Sequence, residues 1–181
     1  MRFLLLLFLT CSAFGSPLET AEALAKKDFA GWTYGAKAAD RQIDCVQFMA
    51  AVIAQEVARP LGKAERNTIN INHGWTAEEV QAKAETGKDP KVSGLVHALV
   101  DLMKVAERVP LAEARPGDFV QYWMKRKDGR WFGHASLIAK VEGGHAVLYG
   151  SHKSTNGIAM SGFKLNLLGK DRHVYLARLK P

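Results

Sequence analysis

Apolar residues recur at helical spacing in the first half of the chain and at alternating spacing in the second. Pro17–Ala30 places Leu18, Ala21, Leu24 and Ala25 on one face. Cys45–Ala58 does the same with Val46, Met49, Ala50, Ile53 and Val57, flanked by Phe48 and Val52. It stops at Arg59-Pro60, because the residue before a proline avoids helical angles. Leu61–Gly74 has no clear period and reads as a loop. Thr76 and Glu79 form a capping box that opens a short helix to about Thr86. Gly87–Pro90 is a break, and Ser93 caps a third helix, Gly94–Arg108, with Leu95, Leu99, Leu102, Val105 and Ala106 inward. After Pro110 the period becomes two. Asp118–Met124, Trp131–Val141, His145–Ser151, Ile158–Leu165 and His173–Leu179 read as strands, separated by turns at Pro116-Gly117, Arg126–Gly129, Glu142–Gly144 and Thr155–Gly157. Helices followed by an antiparallel meander make an α+β domain, its N-terminal helices packed on a C-terminal sheet.

The first residues change the expected compartment. Arg2, the apolar run Phe3–Thr10 and the small-x-small group Ala13-Phe14-Gly15 read as a secretory signal peptide, residues 1–15, cut after Gly15. The run is too short to span a bilayer, and Thr10 is larger than the small residue that precedes a lipidated cysteine. Residues 16–181 are one domain's length of chain, with no stable membrane insertion, secreted or periplasmic and monomeric. Loss of Arg2 takes the formal charge of +7 to +6, which draws the protein toward anionic polymers without saying what it does to them.

Removal of the leader also leaves Cys45 as the one cysteine, without a disulfide partner. In an oxidising compartment such a thiol is either buried or used. Asp44 is a good N-cap, so Cys45 falls in the first turn of its helix, where unpaired amides and the helix dipole favour a thiolate, the nucleophilic form. Such a nucleophile needs an imidazole, and the imidazole a third polar group to orient it. Of six histidines, His73, His97 and His173 read as surface or locally bonded. His134 differs: it follows Gly133 in a strand where His134, Ser136 and Ile138 alternate with Ala135, Leu137 and Ala139. The orienting group should come from the next strand, and hairpin register decides which. A two-residue Gly143-Gly144 loop puts Ser151 on the face of His134. A three-residue loop sets His134 opposite His152, the better orienter.

Together these segments resemble the NlpC-type family of bacterial cell-wall cysteine peptidases, which have a compact papain-like fold. The matching residues are Trp32-Thr33-Tyr34-Gly35, then Asp44-Cys45 and Phe48, then Pro116-Gly117-Asp118-Phe119-Val120. Gly133-His134-Ala135-Ser136-Leu137-Ile138 and Tyr149-Gly150-Ser151-His152 complete the set. The resemblance spans about Trp32 to Met160. It implies Cys45 as nucleophile, His134 as base and then acid, and His152, with Ser151 as runner-up, as orienter. It implies that Tyr34 and the Cys45 amide hold the substrate or the oxyanion, and that Trp32, Asp44, Val46 and Ser151 line the substrate site. Ala36, Val46 and Gln47 depart from the family's Gly, Ser and Gly, and about 59–110 is a longer helical insert than the minimal domain carries.

The implied activity is exported cysteine amidohydrolysis of peptidoglycan stem peptides, with a D-glutamyl–diamino acid bond as the expected target. No cofactor or metal is required. The partner is peptidoglycan or its stem-peptide fragments rather than nucleic acid. The alternatives are an N-acetylmuramoyl-L-alanine amidase, an acyltransferase on the same Cys–His pair, a non-catalytic wall-binding domain, and a metal site of His134, His145 and His152.

Overall fold

The computed structural model describes residues 15–70 and 74–181. The expected leader and Cys11 precede these residues, apart from Gly15, and His73 also lies outside them. Among the described residues five helices accompany eight strands, six of them in one antiparallel sheet, so the domain is α+β. No described helix is long and apolar enough to cross a membrane.

Helix α1, Pro17–Lys27, starts from Ser16, whose hydroxyl and Glu19 make a reciprocal cap. Two short strands, β1 (Thr33–Tyr34) and β2 (Gln42–Ile43), pair in parallel just before α2, Cys45–Glu56. Ala58, with φ of 51°, ends α2 ahead of Pro60. The stretch read as a loop contains a helix, α3 (Lys63–Ile69). Only its Ile69 is fully buried, so it shows almost no hydrophobic period. Polar groups hold it instead. Glu65 accepts the Gly62 amide at 2.6 Å and pairs with Arg59 at 2.6 Å. Helix α4, Ala77–Thr86, begins on the Thr76–Glu79 box and ends on left-handed Gly87.

The third expected helix is cut short. Helix α5 covers Gly94–His97 and continues as a π-helical turn over Ala98–Leu102. Lys104 turns left-handed, with φ of 60°. Ala106–Arg108 is then strand β3 rather than helix. Leu95 and Leu99 are buried as expected, while Leu102 is an exposed hydrophobe. The Ser93 hydroxyl bonds back to the Pro90 carbonyl and caps nothing.

The remaining strands are β4 (Phe119–Lys125), β5 (Trp131–Glu142), β6 (His145–His152), β7 (Gly157–Asn166) and β8 (Arg172–Leu179). Their order is β3-β8-β4-β5-β6-β7. This is not the simple meander expected, because the last strand inserts between β3 and β4. Asp118 fastens that insertion. Its carboxylate, 1 % exposed, accepts from Arg178 of β8 at 2.8 and 3.0 Å and from the Arg115 amide at 2.9 Å.

Each face of the sheet buries its own core. Phe119, Ala135 and Leu137 meet Phe48, Met49, Val52 and Ile53 of α2, with Leu95 and Leu99 behind them. Val120, Tyr122, Ile138, Leu148, Leu165 and Leu176 form a second cluster on the other face. A smaller group, Val80, Ala84, Val92, Trp123 and Trp131, docks α4 against the ends of β4 and β5.

Candidate active site

Asp44 caps α2 as its sequence predicts. Its carboxylate accepts the Gln47 amide at 2.8 Å, and the Gln47 side chain accepts the Asp44 amide at 3.1 Å. Gln47 is therefore a capping residue, and its other end donates to the Ala36 carbonyl at 3.1 Å. This capping box sets Cys45 at the first helical position. Ser151 secures the same junction from the sheet: its buried hydroxyl donates to the Ile43 carbonyl at 2.6 Å. Ser151 thus neither orients an imidazole nor lines the cavity, contrary to both expected roles.

The thiol meets the sheet at a gap. The β5–β6 ladder runs from Glu142–His145 to Leu137–Tyr149 and goes no further. Beyond that point the edge of β5 has lost its partner, and the amide of Ala135 faces the Cys45 sulfur, as do the amides of Val46 and of Cys45 itself. These donors favour a thiolate, but burial outweighs them, and the Asp44 carboxylate adds to it. The thiol is pushed up to about 11. The direction is opposite to the expected one: Cys45 is buried, and desolvation outweighs the helix terminus.

Helix α2 packs over Ala135 and Leu137, so His134 turns to the opposite face, where it contacts Tyr122 at 5.6 Å between ring centroids. His134 does not face the helix. It sits one residue from Ala135, whose amide faces the sulfur, and Cys45 and His134 border the same cavity.

Register supplies its partner by an unforeseen route. The hairpin turn has two residues, pairing Glu142 with His145, which alone would have put Ser151 on the face of His134. A bulge at Ala139, between Ile138 and Lys140, shifts the pairing by one. Leu137 then stands opposite Tyr149, and three residues further along each strand His134 is level with His152. His134 Nε2 and His152 Nδ1 share a hydrogen bond of 2.8 Å. The ring planes differ by 26° and the centroids lie 4.8 Å apart, so the rings meet edge to edge rather than face to face. That bond occupies Nε2 of His134 and leaves Nδ1 for another partner.

Burial, then the neighbouring His152, holds His134 down to about 3. Burial likewise holds His152 down to about 4, offset a little by the nearby Leu148 backbone. At neutral pH both rings are uncharged. Tyr34, beside Cys45 and Asp44, is raised by burial and by those two groups, so it remains a phenol able to donate a hydrogen bond.

No protein-family model matches this chain, and no curated protein does.

The cavity has a volume of about 720 Å³. One end holds Tyr34, Asp44, Cys45 and Val46, as expected. Gln121, Trp123, Trp131 and Gly133 form the sheet wall. Gly133 fits closely there: a Cβ would lie 3.1 Å from the Trp123 ring, which would have to give by a few tenths of an ångström. The helical segment 59–110 forms the other wall through Ile69, Asn70, Trp75, Val80 and Gln81. Gln81 clasps both backbone groups of Trp131, at 2.6 and 2.9 Å. Sequence reasoning missed this wall, because nothing local in α3 or α4 marks a cavity. The reciprocal spacing of Gln81 and Trp131 emerges only in the fold. Trp32 does not line the cavity. It packs edge-on against Phe29 at 5.1 Å, away from Tyr34. His145 sits at the hairpin turn, bonded to the Gly143 carbonyl, far along β6 from His152.

The arrangement offers a thiol among helix-terminal amides, a neutral imidazole with one free nitrogen, and a second imidazole fixing the first. That set suits nucleophilic attack on a carbonyl with general-base assistance.

Proposed function

We propose that the chain is an exported cysteine amidohydrolase with a papain-like, NlpC-type fold, 16–181 forming the catalytic domain, and that it cleaves peptidoglycan stem peptides. The observation that carries this reading is the hydrogen bond shared by His134 Nε2 and His152 Nδ1, which leaves His134 Nδ1 to serve as the base for Cys45. Further support comes from the cavity that opens beside the sulfur and from the chain's net positive charge, which suits an anionic wall.

In this mechanism the thiol proton passes to His134 Nδ1 as sulfur bonds to the scissile carbonyl carbon. Transfer concerted with attack suits a thiol that burial keeps protonated. The Cys45 amide and the Tyr34 hydroxyl donate to the developing oxyanion. As the C–N bond breaks, His134 returns its proton to the departing amine, leaving a thioester. Water then attacks the thioester, giving its proton to His134. Collapse restores the thiol and releases a carboxylic acid. His152 holds His134 in the required tautomer throughout.

The test is digestion of purified peptidoglycan, with the fragments weighed by mass spectrometry. Cleavage between D-glutamate and the diamino acid is expected, and it should vanish in Cys45→Ala. Release of intact stem peptides from muramic acid would identify an amidase instead. One observation favours a second reading, a wall-binding domain without turnover: the sulfur is buried and its pKa lies near 11. Sedimentation with insoluble wall, without fragments, would establish that alternative and end the catalytic one.

A further inference from the structure

Two buried side-chain atoms among the described residues have no hydrogen-bond partner: Oγ of Ser136 and Nε2 of His152. Buried polar atoms without partners are rare, and each calls for an explanation. Both residues occupy the same sheet face. Ser136 lies two residues beyond His134 on β5. Gly150, level with it across the hairpin, lies two residues before His152 on β6. Nothing intervenes at Gly150, where a Cβ would sit 2.9 Å from Ser136 Oγ.

Tautomers follow from counting protons. If His134 Nδ1 is to accept the thiol proton, the single hydrogen of the neutral ring must sit on Nε2. That hydrogen is donated to His152 Nδ1, so His152 carries its own hydrogen on Nε2, where it is a buried donor in need of an acceptor. The Ser136 hydroxyl has two lone pairs to offer. Tyr122 has the other hydroxyl on this face. It belongs to β4, however, and lies on the far side of His134 from His152.

We propose that Ser136 is a positioning residue whose Oγ accepts the Nε2 hydrogen of His152 through one bridging water, extending the chain to Cys45–His134–His152–Ser136. The reading rests on the thiol–imidazole chemistry proposed above. Ser136 gives the Nε2 hydrogen of His152 an acceptor and so stabilises this hydrogen-bond direction in a buried site. Without the hydroxyl, His152 is free to carry its hydrogen on Nδ1. It would then donate to His134 Nε2 and force the hydrogen of His134 onto Nδ1, facing the sulfur, so the base would be switched off by a change two residues away.

Nitrogen-15 spectra of the imidazoles in the whole protein test this without any substrate. In the wild type at pH 7 both His134 and His152 should be Nε2–H tautomers. In Ser136→Ala, His152 should shift toward the Nδ1–H form, and alkylation of Cys45 by iodoacetamide should slow by about tenfold, a part of the 10²–10⁴ that a general base is worth. Gly150→Ala, which keeps the hydroxyl but crowds it, should move the tautomer in the same direction. An Nδ1–H tautomer for His152 in the wild type overturns the proposal. So do both variants leaving His152 as the wild type has it. If neither variant folds, the wild-type spectrum decides alone. Intact peptidoglycan alongside the expected tautomers would remove the amidohydrolase reading and leave the positioning role standing.

Discussion

Two buried polar groups lie within one sheet, and they are built in opposite ways. Asp118 and Arg178 join β4 to β8 through two charged hydrogen bonds, with the Arg115 amide and the Glu113 carbonyl completing the set. His134 and His152 share one hydrogen bond, stay neutral, and leave ring nitrogens without protein partners. The first group is saturated and can do nothing further. The second retains proton-accepting capacity in a place where burial makes unused capacity expensive. The contrast separates the part of the sheet that fixes topology from the part free to react.

Substitution at each group should break the molecule differently. The largest effect is expected from His134→Gln, which should lower release of wall fragments by about 10³-fold with little change in melting temperature. A variant with undiminished turnover would exclude His134 as the base. Next comes Arg178→Met. It strands the Asp118 carboxylate, should cost about 3 kcal/mol, and should lower the melting temperature by about 6–12 °C. Cys45 alkylation in the folded fraction should be unaffected.

Acidity sharpens the comparison further. Both imidazoles have native pKa values below the ordinary 6.5, so the unfolded chain binds protons that the native pair refuses. Stability is therefore fully present above about pH 6.5. It should fall as pH drops toward 4, by up to about 1.4 kcal/mol per pH unit for each ring. The raised thiol works at the other limb: between about pH 9 and 11 the unfolded chain loses a proton that the native one keeps, so stability should decline there too. Thermal melts across pH 4–11 measure both limbs, and Cys45→Ala should reduce only the alkaline one, to which the raised tyrosines Tyr34 and Tyr122 also contribute. The same raised thiol predicts slow alkylation at pH 6, and a fast reaction would restore the low thiol pKa that the sequence suggests. The smallest effect is expected from Ser151→Ala, about 1 kcal/mol for one lost hydrogen bond, seen as a small drop in denaturant midpoint.

What could be read in the chain was what is decided locally. Asp44, the helix after it, the strand alternation around His134 and the Thr76–Glu79 box depend on neighbours within a few residues, and each stands where expected. What failed either lacked an apolar stripe or depends on distant partners. Helix α3 is held by Arg59 and Glu65 rather than by an apolar stripe. Strand β3 exists because β8 comes back to pair with it. The helix terminus beside the thiol is visible in sequence, while the burial of Cys45 that pushes it up is not. The resemblance placed Trp32 in the site, yet its ring packs against Phe29.

The extra residue at Ala139 carries a consequence for how this hairpin can vary. Between the turn and the histidines it acts as slack, so the length of chain separating positions 134 and 152 is not dictated by their meeting. Deleting Ala139, or adding a residue within the Gly143-Gly144 corner, leaves Glu142 paired with His145 and would in either case present the same two rings to each other. Chains that differ at both places can share one arrangement of side chains, and counting from the corner will misalign them.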